Sequence, residues 1–248
     1  RHLLNADALG HKKAHALSAT MQSVFPDRGA PPWISCDYLA PGEDESKLIA
    51  ALKGAELILD FSASVTVERR LARDQRSSAR RMTAFLNQRG DESVLLVEDG
   101  GRKINLFWLE AEYLRAVAFD AKLTGHFADV GVVAHRYGNG CRDVSATVPQ
   151  EGVALHAGML SHRIRKAAGN SDAVVVVSRW SRESGAVTVV NVAVSAPVAV
   201  VIAGWQVLLH PTVVQQLAEQ RAKNLPNETG GILVGVVDRT QHTLAVIG

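Results

Sequence analysis

Ala55-Glu56-Leu57-Ile58-Leu59-Asp60-Phe61 is an apolar run that closes on a carboxylate, and the small residues Ser62-Ala63-Ser64 follow it. Such a run, bounded by turn residues, suits a strand covered on both faces, as in the parallel sheets of α/β proteins. Residues 65–74 then carry a helical pattern, so strand, turn and helix succeed one another. Upstream, residues 45–53 predict a short helix, 33–39 a short strand beginning at Trp33, and 9–25 an alanine-rich helix stopped by Pro26. Downstream, strands are expected at 81–86 and 94–98, and a helix carrying Trp108 and Tyr113 at 104–119. This alternation predicts an α/β chain with a Rossmann-like, doubly wound sheet, whose ligands sit beyond the carboxyl ends of the strands.

Beyond residue 120 the pattern loosens until Tyr137-Gly138-Asn139-Gly140-Cys141, a turn-rich stretch that should present its cysteine on a loop. A helix at 153–166 and strands at 173–177 and 186–194 follow. Residues 185–210 are uncharged and long enough to raise a membrane span. Valine richness, Asn191, Pro197, Gly204 and Gln206 instead suit two strands around Ser195-Ala196-Pro197. After Pro197 come a strand, a helix from His210-Pro211-Thr212 to residue 221, and a last strand. A boundary is therefore expected near Pro197, with one domain at 1–195 and the start of a second, α+β domain at 196–248.

Of the 248 residues, 47% are apolar and 21% charged, which excludes disordered, collagen-like and coiled-coil chains. The net charge of +2 lends a nucleic-acid partner no electrostatic support. Two cysteines, Cys36 and Cys141, far apart and outside any CxxC pair, form neither a disulfide framework nor a thiolate zinc site, so a reducing cytoplasm is the default expectation. Cys36 reads most simply as a small core residue. The chain opens on Arg1 and stops at Gly248 just after an apolar run, and it reads as a fragment truncated at both ends.

No GxGxxG or GxxxxGK[ST] phosphate loop occurs. Three other motifs do, in order. Arg1-His2-Leu3-Leu4 precedes Gly10-His11-Lys12-Lys13-Ala14, the strand ending in Asp60 is followed by a small polar turn and a helix with Arg69, and Cys141-Arg142-Asp143-Val144-Ser145 closes the set. Together they resemble the ThiF/MoeB-type adenylyltransferases related to ubiquitin-activating enzymes, over roughly residues 1–170. The resemblance implies ATP-dependent adenylation of the C-terminal glycine of a ubiquitin-like protein, with Arg1 and Lys13 on the phosphates and Asp60 holding Mg²⁺. Cys141 is then the candidate acceptor of the acyl group as a thioester, its thiol made more acidic by a cation such as Arg142. A ubiquitin-conjugating-like partner and a homodimer are further expectations of the same resemblance. Taken alone, Arg1 and Lys13 are solvated charges at a helix end, Asp60 is a ligand or a helix N-cap, and Cys141 is an ordinary loop thiol.

The second unit resembles the start of a JAB/MPN metalloprotease domain, through a Trp-containing strand, the helix at His210-Pro211, and Asn227-Glu228-Thr229-Gly230-Gly231-Ile232-Leu233-Val234-Gly235. The resemblance makes Glu228 a general base beside zinc. The His-x-His and acidic zinc ligands are not in the chain, so Zn²⁺ is expected only in a complete domain and the isolated chain is expected to be inactive. Glu228 on its own is a solvated residue before a Gly-Gly turn. Two alternatives stay open for the full-length protein: a zinc isopeptidase of the JAB type, and a non-catalytic module that binds a ubiquitin-like tail.

His11 and His15 have helical spacing but no HExxH, and Ser62 and Ser64 have no GxSxG context, so neither a metalloprotease helix nor a serine hydrolase gains support. Arg69-Arg70 and Arg80-Arg81 read as solvated basic faces.

Overall fold

The structure is a computed structural model that describes residues 8–127 and 148–248, with the backbone of two short strands at 135–136 and 144–145. The chain divides into two compact units, Arg1–Glu56 with Asp74–Ala79 and Leu57–Arg73 with Arg80–Gly248.

The first unit holds two helices, α1 (Lys13–Val24) and α2 (Glu45–Gly54). Helix α1 starts later than its alanine-rich pattern, because Gly10 takes a left-handed φ of 82° and turns the chain just before it. The strand expected at 33–39 does not form. Asp37 instead accepts the Leu39 N–H at 2.9 Å and closes a turn, while Trp33 packs at 5.1 Å on the ring of His15. Cys36 lies half-buried in this loop rather than in a core strand.

The second unit runs β1 (Leu57–Asp60), α3 (Val65–Arg73), β2 (Arg80–Leu86), β3 (Glu92–Val97), α4 (Leu106–Phe119), β4 (His135–Arg136), β5 (Val144–Ser145), α5 (Gln150–Ala168), β6 (Val174–Trp180) and β7 (Val187–Val192). After residue 197 come β8 (Val198–Ile202), β9 (Trp205–Leu209), α6 (Pro211–Asn224), β10 (Gly235–Asp238) and β11 (Thr243–Val246). The uncharged stretch at 185–210 thus supplies three strands, and no helix among the described residues is long and apolar enough to cross a membrane.

Two mixed sheets with helices make this an α/β protein. The larger has the order β1-β2-β3-β6-β7, and the smaller β10-β11-β9-β8. In the larger sheet β1 and β2 are parallel, joined through α3, and every other neighbouring pair is antiparallel. The alternating pattern led to a more parallel sheet. Short connections at 87–91 and 181–186 make β2–β3 and β6–β7 antiparallel, because a parallel pair needs a crossover of a dozen or more residues, and β6 returns antiparallel to β3 after the long segment that holds α4 and α5. In the smaller sheet β9 and β11 are parallel, while β8 and β9 form a hairpin over Ala203 and Gly204, both at positive φ (48° and 80°) as a two-residue turn requires.

The larger sheet has different partners on its two faces. Met82, Ala84, Leu95 and Val97 pack with Ala167, Leu160 and Ile164 of α5. The alternate residues face the other way, where Phe85 meets Tyr113 of α4 edge to face. Helix α4 is buried almost all round, since it touches both this sheet and β11 of the smaller one. Asn105 caps it by accepting the Trp108 N–H at 3.1 Å.

Candidate functional site

Asp60 ends β1 opposite Thr83 of β2, on the side of the sheet away from α5. Its residue exposure is only 6%, and each carboxylate oxygen has a partner: Oδ1 accepts the Ser62 N–H at 2.8 Å and Oδ2 the Thr83 hydroxyl at 3.3 Å. Asp60 is not the cap of the following helix. That position belongs to Ser64, whose carbonyl accepts the Glu68 N–H at 3.0 Å and whose hydroxyl accepts the Val67 N–H at 3.5 Å. Between the two, Ala63 sits at a φ of 55°, a left-handed conformation that costs an alanine about 1 kcal/mol and is concentrated at functional turns.

Among the described residues, Asp60 is a carboxylate whose chemistry would suit a hard cation such as magnesium. Mg²⁺ usually keeps most of its shell as water and phosphate oxygen and takes one or two carboxylates from the protein. Asp60 offers one carboxylate, fixed by two hydrogen bonds that leave a lone pair on each oxygen. It stands at the carboxyl end of the edge strand of the larger sheet, just before the chain turns into α3.

Lys13 is the first residue of α1 in the other unit and is exposed. Its helix begins without a side-chain cap and without an acid in the first turn. Two lysines beside uncapped N–H groups oppose the helix dipole and favour an anion. Arg1 and Cys141 lie outside the described residues, so the structure places neither.

Glu228 is exposed, in a stretch between α6 and β10 without regular structure. It lines an open cleft of 790 Å³ together with Val213, Leu217 and Gln220 of α6 and with Ile232. Among the described residues no three His, Cys, Asp or Glu side chains gather as a metal cluster, beside Glu228 or elsewhere.

Several buried charges escaped the sequence reading. Arg80 and Arg81 are not a solvated face. The Arg80 guanidinium donates to the carbonyls of Glu98, Ala167, Asn170 and Asp172, binding β2 to the end of α5, while Arg81 is fully buried near Glu98. His126 lies between the Tyr113 hydroxyl and Glu92, and Glu92 also takes Arg179. Burial would raise the Glu92 carboxyl, but hydrogen bonds from His126 and Arg179 outweigh it and hold it below the ordinary range. This satisfied chain of four side chains fixes β3, β6 and the residues after α4. Glu110 and Glu112 left one signal in the sequence, as two acids inside the otherwise apolar run Leu106-Phe107-Trp108-Leu109-Glu110-Ala111-Glu112-Tyr113. A helix with acids on opposite sides of such a run must bury both, each with its own partners.

No family model and no curated protein matches the chain.

Proposed function

We propose that the chain belongs to an enzyme that adenylates the C-terminal glycine of a ubiquitin-like protein. The observation that carries this reading is Asp60, a buried and oriented carboxylate at the end of a parallel strand, followed by a turn with Ala63 in the left-handed region. The order of the sequence motifs adds to it, with the Gly10–Ala14 segment before this strand and Cys141-Arg142-Asp143-Val144-Ser145 after it. The uncapped, lysine-flanked start of α1 is the kind of site a phosphate oxygen prefers.

In the proposed reaction the glycine carboxylate attacks the α-phosphorus of ATP, the bond to the β-phosphate oxygen breaks, and pyrophosphate leaves. Magnesium supplies charge neutralisation for the phosphates, and Asp60 is the residue that holds it. Lys13 and Arg1 are assigned to phosphate oxygens, where negative charge gathers in the transition state. The Cys141 thiol first gives its proton to solvent, and the resulting thiolate attacks the acyl carbon; a C–S bond forms, the C–O bond to AMP breaks, and AMP leaves with the electron pair. The larger sheet is the Rossmann-like part of this reading, up to residue 195. The smaller sheet, from 196 on, is its JAB/MPN-like part, with Glu228 beside the cleft.

Pyrophosphate exchange tests the proposal. The full-length protein should exchange labelled pyrophosphate into ATP only when a glycine-terminated ubiquitin-like protein and Mg²⁺ are present. Failure with every such partner sinks the adenylation reading, and tight binding of a partner without exchange assigns the sheet a recognition role instead.

A further inference from the structure

Among the edge strands of the larger and smaller sheets, β8 differs from the rest. β1 ends in Asp60, β7 carries Thr188 and Asn191, and β10 holds Gly235 and Asp238, whereas β8 reads Val198-Ala199-Val200-Val201-Ile202 without a polar side chain. All of β8 is exposed, with Val198 at 41%, Val200 at 37%, Val201 at 78% and Ile202 at 60%. Natural sheets guard an open edge with a charge, a proline or a bulge, because its unpaired N–H and C=O groups are a template for another strand. Pro197 stands just before β8, but the strand itself has none of these guards and runs in unbroken register with β9.

That register fixes which backbone groups point outward. Ile202 pairs with Trp205, Val200 with Val207 and Val198 with Leu209. The Gln206 N–H goes the other way, to the His242 carbonyl just before β11. Backbone direction alternates along a strand, so Trp205, Val207 and Leu209 bond toward β8 and receive Val198, Val200 and Ile202. Ala199 and Val201 therefore turn their N–H and C=O groups away from the sheet. The side chains of Val198, Val200 and Ile202 share the face on which α6 packs, but α6 sits over β9 and β11, where Val213 meets Val207 and Val246, and leaves these three uncovered.

We propose that β8 is the strand through which two copies of the chain join, as an antiparallel pair whose two-fold axis passes at Val200. In this register Ala199 and Val201 of one copy exchange both backbone hydrogen bonds with Val201 and Ala199 of the other, so every outward group of these residues is paired. Val200 faces its own image and Val198 faces Ile202, which sets β-branched side chains together on the α6 side. On the opposite side Val201, the most exposed residue of the strand, stands beside Ala199, the smallest. Self-complementarity selects a second copy as the occupant: a two-fold axis brings like residues together, and an edge without charge brings no like charges with them. The exposed side chains of β8 supply about 400 Å² per copy, half of a standard interface, so the dimer is weak and concentration-dependent.

Sedimentation velocity of the intact chain over a hundredfold range of micromolar concentrations tests the pairing. The sedimentation coefficient should climb toward the dimer value. Val201→Lys, which places like charges across the pair, and Ala199→Pro, which deletes an outward N–H at an edge where proline is tolerated, should each weaken dimerisation by about tenfold or more with an unchanged circular dichroism spectrum. Val200→Cys, on the axis, should cross-link two copies on mild oxidation much faster than Val198→Cys, which lies opposite Ile202. A chain that stays monomeric throughout, a dimer unmoved by either edge variant, or equal cross-linking by the two cysteines overturns the proposal.

Discussion

Arg69 closes a two-pronged hydrogen bond on Glu110, with Nε to Oε2 at 2.8 Å and Nη2 to Oε1 at 3.0 Å, and its third nitrogen reaches the Val237 carbonyl at 3.2 Å. One guanidinium thereby ties α3 to α4 and both to the smaller sheet. Glu110 is 4% exposed, so removing its partner strands a buried charge. Arg69→Ala should cost about 3 kcal/mol of unfolding free energy, and Arg69→Lys a substantial part of that, because an ammonium cannot reproduce the fork. Equilibrium urea unfolding reads both. If Arg69→Ala proves neutral, the clamp is not what joins these elements.

Asp60 is the most direct test of the proposed chemistry. Asp60→Asn keeps a hydrogen-bonding side chain of the same shape but removes the charge, and it should lower pyrophosphate exchange by at least about a hundredfold with an unchanged circular dichroism spectrum. For the cysteine, Cys141→Ser should convert a thiol-sensitive adduct with the ubiquitin-like protein into a thiol-resistant ester, visible on reducing gels. A wild-type protein that exchanges pyrophosphate but never forms a thiol-sensitive adduct removes the thioester step.

Stability in the first unit should depend on pH at both extremes. The Tyr38 hydroxyl donates to Asp74 Oδ2 at 2.7 Å, and Arg76 holds both oxygens of the same carboxylate. Burial alone would raise Asp74, but Arg76 and Tyr38 outweigh it and keep the carboxyl well below its ordinary 3.8. Burial, reinforced by Asp74, pushes Tyr38 from 10.0 up to about 12. The depressed acid contributes stability above its unfolded value and loses it as pH falls through the folded one; the raised phenol contributes below 10.0 and loses it as pH rises through about 12. Tyr38→Phe should therefore cost about 1.5 kcal/mol near neutrality and almost nothing in strong acid or strong alkali. A penalty independent of pH would refute the pairing.

The glycines of the Asn227–Gly235 motif should differ sharply in tolerance. A Cβ on Gly235 would stand 2.3 Å from the Ala245 carbonyl oxygen across the β10–β11 pair, whereas one on Gly230 meets nothing within 4 Å. Gly235→Ala should lose about 2 kcal/mol in thermal unfolding and Gly230→Ala less than about 0.5. Equal effects would mean that the strand contact is not the reason for Gly235.

Short runs bounded by turn residues made β1, β2 and β3 legible and helical spacing made α3 and α5 so, while α4, buried almost all round, showed itself as an apolar run too long for a strand. Local pattern failed at 33–39, where apolar residues look like a strand but Asp37 closes a turn, since a strand exists only with a partner to pair with. The basic pair Arg80-Arg81 was misread for a related reason. The four carbonyls that collect Arg80 come from residues as distant as Asp172, and no local pattern announces them.

For the site, the sequence by itself determined the alternation of strand and helix and put a carboxylate at the end of β1, because both follow from residue order and local pattern. Only the tertiary structure decided that Asp60 is held at the strand end while Ser64 takes the cap, that most of the larger sheet is antiparallel, and that Glu112 meets Ser195 and His210. Hydrogen bonds, burial and sheet direction depend on residues far apart in the chain, and their energies exist only once folding has brought those groups within reach.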